Sequence, residues 1–254
     1  MDAPTPPAGR TLIDQLLGLT FNLVQADDPI HPTAPSDLAS GFLIAKAGQL
    51  YLLTAGHVAN QRRPWFWEFP LEAHRGCLLV PLGPFIRYAA AAISPGGGMV
   101  IQGGRVPAAD FAWAPFDPVA LSAKLRAFPG PKAPLTYEYY HGPLDQPPQS
   151  GSTCVLAAQN RATLYHGRLT YLHREPCVQD LVFQSTNAKG HHMFHPSGGH
   201  QGHDFYRGAS GAPIMNETGH LVSMLIGGDE KVHEIYGQPL PLIAHLSGFD
   251  PTGT

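Results

Sequence analysis

Three short segments carry residue types that could work together in one reaction: LLTAGHV around His57, AADFAWAPF around Asp110 and YRGASGAPI around Ser210. A hydroxyl is a poor nucleophile near neutral pH, so a serine that attacks an acyl carbon needs a base to take its proton. The base in turn needs a carboxylate to fix its tautomer and to stabilise the imidazolium that forms. His57, Asp110 and Ser210 would fill those roles. The tetrahedral intermediate carries an anionic oxygen that requires donors, and a tight Gly-x-Ser turn offers two of them, the backbone N–H groups of Gly208 and Ser210. Asp117 is a rival for the acid role. It lies in Phe-Asp-Pro, which reads as a turn rather than a strand start, so Asp110 is preferred.

These segments resemble the chymotrypsin/trypsin-like serine peptidases, whose patterns are Thr-Ala-Ala-His, Asp-Ile-Ala-Leu and Gly-Asp-Ser-Gly-Gly-Pro. The order His, Asp, Ser is kept, with Asp110 lying 53 residues after His57 and Ser210 a further 100 residues on. The serine segment is the most specific of the three and the aspartate segment the least. Two departures narrow the resemblance. Ala209 stands where many members have an acid, so the ion pair that a newly cut N-terminus makes in digestive zymogens cannot form. Val58 follows the histidine in place of a disulfide cysteine, and YRGAS is similar to NRGNS of the disulfide-free bacterial, Htr-type branch. With the residues that follow Ser210 expected to close one barrel, no PDZ domain is expected.

The resemblance implies an all-β fold of two packed six-stranded Greek-key β-barrels with the active site in the cleft between them. It implies a serine endopeptidase working through an acyl-enzyme on a protein or peptide substrate, with no cofactor. It also implies a cytoplasmic stress or defence effector that an activating protein partner switches on. The alternative is a catalytically silent peptide-binding module on the same fold.

Specificity is less sharply written. Asp204 lies six residues before Ser210, the offset at which trypsin-like members place the acid that binds Arg or Lys. The other readings are a loop carboxylate paired with Arg207, and a pocket for small or apolar side chains lined by Phe205 and by Leu225, Ile226 and Gly227. His191, His192, His195, His200 and His203 crowd one stretch just upstream, but no cysteine accompanies them and no HExxH string occurs. The stretch is therefore expected to be a solvated active-site loop, and no metal site is assigned.

The elements that must position these residues can be read from composition and pattern. Gly (28) and Pro (26) make up about a fifth of 254 residues, a turn-rich balance that favours many short strands. Charged residues are only 14% and the formal net charge is −3, which argues against a nucleic-acid or membrane partner. No apolar run is long enough to span a bilayer, and MDAPTPPAGR lacks the apolar core of a secretory signal. Cys77, Cys154 and Cys177 are expected as free, buried thiols. The expected division is a leader and short helix over 1–18, a β-barrel bearing His57 and Asp110 over 19–135, a linker over 136–150, and a β-barrel bearing Ser210 over 151–254. Strands are expected around 41–55, 64–69, 76–81, 85–91, 98–102, 153–158, 162–173, 179–184, 212–215 and 220–227, with helical spacing at 11–18 and 119–127. Residues 188–209 read as a loop. Trp65 and Trp67 alternate with Phe66 along one strand, which reads as core rather than docking surface.

Overall fold

The computed structural model describes residues 10–25, 37–46, 48–59, 65–70, 77–82, 86–87, 110–127, 137–159, 163–165, 168–170 and 176–240. The first half runs α1 (Leu12–Leu19), β1 (Thr20–Gln25), β2 (Asp37–Lys46), β3 (Gln49–Ala55), α2 (Gly56–Ala59), β4 (Trp65–Pro70), β5 (Cys77–Pro81), β6 (Ile86–Arg87), β7 (Phe111–Phe116) and α3 (Pro118–Ala127). The second half adds β8 (Thr153–Ala158), β9 (Thr163–Tyr165), β10 (Arg168–Thr170), β11 (Cys177–Thr186), β12 (His192–Pro196), β13 (Pro213–Asn216), β14 (Leu221–Asp229) and β15 (Glu234–Pro239).

The two halves form two antiparallel bodies. β8 and β11–β15 close into a six-stranded barrel in the order β11-β12-β15-β14-β13-β8. The first half is a seven-stranded sheet in the order β5-β4-β1-β2-β3-β7-β6, one strand more than expected and with its two edge strands unjoined among the described residues. β9 and β10 form a separate hairpin where one long strand was expected, and the strand expected at 98–102 lies outside the described residues.

Alternation along the strands explains the packing. Phe42 and Ile44 of β2, with Tyr51 and Leu53 of β3, point one way, into a core completed by Val155, Ala157, Met215, Leu221 and Met224 of the second half. Leu43 and Leu52 point the other way and join Trp65, Trp67 and Phe116 inside the first sheet. β2 and β3 are thus covered on both faces, which suits their near-continuous apolar sequence. Burial of each large apolar side chain here stabilises by roughly 1.5–3 kcal/mol. Trp65, Phe66 and Trp67 are all buried, so they are core. Cys154 and Cys177 are buried thiols outside any disulfide, and burial raises the Cys154 thiol to about 11; the side chain of Cys77 lies outside what is described.

The helical part of the expected leader turns out to belong to the core. Thr11 caps α1 through a reciprocal capping box with Asp14, and Leu16 and Leu19 are buried in the core shared by the two halves. The Thr20 hydroxyl lies 2.7 Å from Leu16 O and 3.1 Å from Ala157 O, and Gln159 Nε2 donates to Leu17 O at 2.9 Å. α1 therefore staples the first sheet to β8 of the barrel. Beyond the end of β1, Tyr140 of the connecting segment takes up the free edge of β2 as a parallel bridge to Ile44.

Two further expectations need correction. Residues 188–209 are not one loop, because His192–Pro196 forms β12, an interior strand of the barrel between β11 and β15. His192 faces inward, only 4% exposed, with Nδ1 2.6 Å from Ser223 Oγ and its ring edge-on to Phe183. A histidine at an inward position reads as polar in the sequence, which hid the alternation. Asp117 takes neither the acid role nor a simple turn: its Oδ1 accepts from the N–H groups of Val119 and Ala120, capping α3.

Candidate active site

His57 stands on the single helical turn α2, directly after β3. Val58, buried at 4%, anchors that turn, while the imidazole is held at the surface and is 47% exposed. Asp110 immediately precedes β7, which pairs with β3 through Ala55↔Phe111. The register of those two strands therefore sets the approach of the two side chains. Asp110 Oδ2 lies 2.7 Å from His57 Nδ1, and Oδ1 accepts the His57 main-chain N–H at 2.7 Å. Burial pushes the Asp110 carboxyl up, but the hydrogen bonds and charge of His57, helped by the charge of His191, outweigh it and hold the group below its ordinary value. An ionised carboxylate can only accept, so the Nδ1 proton is on the histidine, and in the neutral imidazole Nε2 is the acceptor.

Ser210 lies in the turn between Tyr206 and β13. Its carbonyl accepts from Ser40 N at 2.8 Å, and Ser40 Oγ donates to Gly208 O at 2.8 Å. Ser40 is fully buried in β2, and its own carbonyl accepts from Thr54 Oγ1 at 2.8 Å, three residues before His57. The serine turn is thus docked onto the strands that carry the histidine. Gly211, at φ +91°, makes this contact possible: a Cβ there would collide with Ser40 O and lie 2.5 Å from Thr54 Oγ1. From the barrel side, Gly211 N donates to Leu225 O and Leu225 N to Ala212 O, both at 2.8 Å. No hydrogen bond joins Ser210 Oγ to His57 among the described residues. The structure pairs His57 with Asp110 and brings Ser210 to the adjoining strands.

Gly208 has φ +85°, a conformation open to glycine. Among the described residues, neither its N–H nor that of Ser210 has an acceptor. Two free donors on one tight turn make a place where an anionic oxygen could be held.

The expected specificity residues divide into two groups. Asp204 is at the surface, its side chain 89% exposed and its Oδ1 bound to Arg207 Nη2 at 2.8 Å. Phe205 is half-buried against the barrel core with Tyr206. Leu225 is buried, while Ile226 is the extra residue where the β14–β15 register shifts before Gly227, and it packs partly against the core shared by the two halves and the core inside the first sheet. Phe205 and Ile226 are the apolar surfaces offered near the turn. The histidines at 200 and 203 contact each other and His200 contacts Tyr206; no group of three or more His, Cys, Asp or Glu residues suited to a metal ion is present among the described residues.

Sequence reading missed two supporting residues. Ser40 had no signal beyond being polar in an apolar strand. Gln238, on β15, is fully buried and its Oε1 accepts from Asp110 N at 2.8 Å; a glutamine in a strand end otherwise apolar was the available hint.

The closed barrel and the sheet packed against it have the fold of the trypsin-like serine proteases. The granzyme GrC superposes with a TM-score of 0.54 at 11% identity, covering 90% of this chain and 92% of GrC. The serine endoprotease from Yersinia pestis (TM-score 0.47, 16% identity, 96% of this chain) and the MamO protease domain from Magnetospirillum magneticum (0.47, 13%, 91% of this chain and 97% of that one) were also found. This chain spans 65% of the Yersinia protein. No protein-family model and no curated protein matches the sequence. At these identities the likeness is one of fold, so the chemistry rests on the residues themselves.

Proposed function

We propose that the protein is a serine endopeptidase in which Ser210 is the nucleophile, His57 the general base and acid, and Asp110 the residue that orients His57. Ser210 Oγ attacks the scissile carbonyl carbon as its proton passes to His57 Nε2, and the oxyanion is held by the N–H groups of Gly208 and Ser210. His57 then gives the proton to the leaving amine, which leaves an acyl-enzyme. Water, deprotonated by His57, attacks the ester and releases the acid, returning the proton to Ser210. The observation that carries this reading is the double hydrogen bond from His57 to Asp110, which leaves Nε2 as an acceptor on the strands where the serine turn docks.

Phe205 and Ile226 favour a small or apolar side chain before the scissile bond over Arg or Lys, since Asp204 is already paired. Ala209 is fully buried where digestive members carry an acid, which speaks against activation by clipping, and the proposal is completed by a protein partner that switches activity on in the cytoplasm. A fluorophosphonate probe tests the proposal, with Ser210→Ala and His57→Ala as controls. Labelling of the wild type alone, with or without added cell lysate, is the expected result. No labelling under either condition would leave a peptide-binding module in its place.

A further inference from the structure

The hydrogen bond between Gln238 and Asp110 joins the two halves of the molecule at the acid of the site. Asp110 belongs to the first sheet, whereas Gln238 belongs to β15 of the barrel, 128 residues later. A backbone N–H can only donate, so the atom facing Asp110 N is the amide oxygen, and the orientation of the Gln238 amide is fixed by chemistry. Its Nε2 is then buried without a hydrogen-bond partner among the described residues. A buried, unpaired amide nitrogen is a cost that a methionine of similar length would avoid. On the same ladder, Gln238 pairs with Met224 and Gly237 pairs with Leu225, the residue whose backbone grips Gly211 and Ala212 of the serine turn. One strand pair therefore touches the main chain of Asp110 and the main chain beneath Ser210.

We infer that Gln238 is a positioning residue: it fixes the main chain of Asp110 from across the cleft, so that the carboxylate meets both His57 N and Nδ1, and it ties that pair to the strand holding the serine turn. This rests on the peptidase reading for its consequence in rate, but not for its geometry. The neighbouring hydrogen bonds divide the work. His57 holds the carboxylate of Asp110 through two donors, and Gln238 holds the backbone to which that carboxylate is attached. Without the amide oxygen, Asp110 N would face a buried side chain that cannot accept, and the start of β7 would shift to find another acceptor.

The test uses the full chain with Gln238→Met, which keeps length and removes the acceptor, and Gln238→Asn, which draws the amide back by one methylene. Two readouts are taken: the downfield proton resonance of the His57 Nδ1–H in contact with Asp110, and the rate of fluorophosphonate labelling at Ser210. In the Met and Asn variants the resonance should broaden or move and labelling should slow by about tenfold or more, the scale of loss expected from a sub-ångström misplacement of a catalytic group. A folded Met or Asn variant whose His57 resonance is unchanged overturns the role of Gln238, whatever the labelling does. Absence of labelling in the wild type sinks the peptidase reading instead, and the resonance still judges Gln238.

Discussion

Lowering the pH from 7 to 5 should destabilise the barrel through His192. This side chain is 4% exposed, bonded to Ser223 Oγ and packed against Phe183, and burial alone drives its pKa from 6.5 down to about 4. In the unfolded chain it returns to an ordinary value near 6.5. The folded value is depressed, so the unfolded state takes up the proton first. Stability is full above about 6.5, is lost as pH falls through the window from 6.5 to 4, and loses nothing more to this group below it. At 1.36 kcal/mol for each tenfold difference in proton affinity, the whole window is worth ~3 kcal/mol, and the part between pH 7 and 5 ~2 kcal/mol. His192→Gln removes the titration while leaving a side chain able to bond Ser223. Urea unfolding followed by far-UV circular dichroism at pH 7, 6 and 5 should show the wild type losing ~2 kcal/mol more than the variant. Subtracting the two removes every other histidine from the comparison. Parallel loss in both proteins would refute the reasoning, since it would mean that His192 is already protonated in the fold or is not buried there.

Ser40→Ala removes the hydroxyl bonded to Gly208 O but keeps the Ser40 N–H to Ser210 O. It should cost about 1 kcal/mol in stability and slow fluorophosphonate labelling more than it lowers Tm. Gly211→Ala should be far harsher, because φ is +91° and the new Cβ meets Ser40 O; labelling is expected to vanish, with a stability loss of at least about 2 kcal/mol by chemical denaturation. Asp204→Asn breaks an exposed ion pair, so it should change stability by less than about 1 kcal/mol and leave the ratio of turnover for peptides with Val or Arg before the scissile bond unaltered. Loss of Arg turnover in that variant alone would restore Asp204 to the specificity pocket.

What was legible in the sequence was what is local. β2, β3, β8, β13 and β14 were readable because their apolar runs end at glycine, proline or charged residues, and Trp65 to Trp67 because aromatics packed on a covered sheet leave a run with no polar face. The segments around His57, Asp110 and Ser210 were readable because each motif is completed within a few residues. β12 was not, since its inward positions include His192, whose burial depends on Ser223 and Phe183 from other strands. α1 was readable as a helix but not as a staple, because its partners, Ala157 and Gln159, lie far along the chain. Gln238 and Ser40 were hard to read for the same reason: each acts through hydrogen bonds to residues more than a hundred positions away.

This division follows from how the site is built. Each candidate side chain stands within three residues of a strand whose flank is buried: His57 just past Ala55, Asp110 just before Phe111, Ser210 just before Ala212 and Pro213. Packing fixes those strand ends to within the tolerance of a close-packed core, but the ends belong to two bodies whose shared core is apolar and does not by itself specify direction. Direction comes from the few polar contacts that cross between them, Ser40 to the serine turn and Gln238 to Asp110. Hydrogen bonds are directional where burial is not, so these contacts orient what the core merely brings near. A substitution in the shared core, such as Leu53→Ala, should therefore act on stability first, by about 2–5 kcal/mol, whereas one at Ser40 or Gln238 should act on the site while the fold persists.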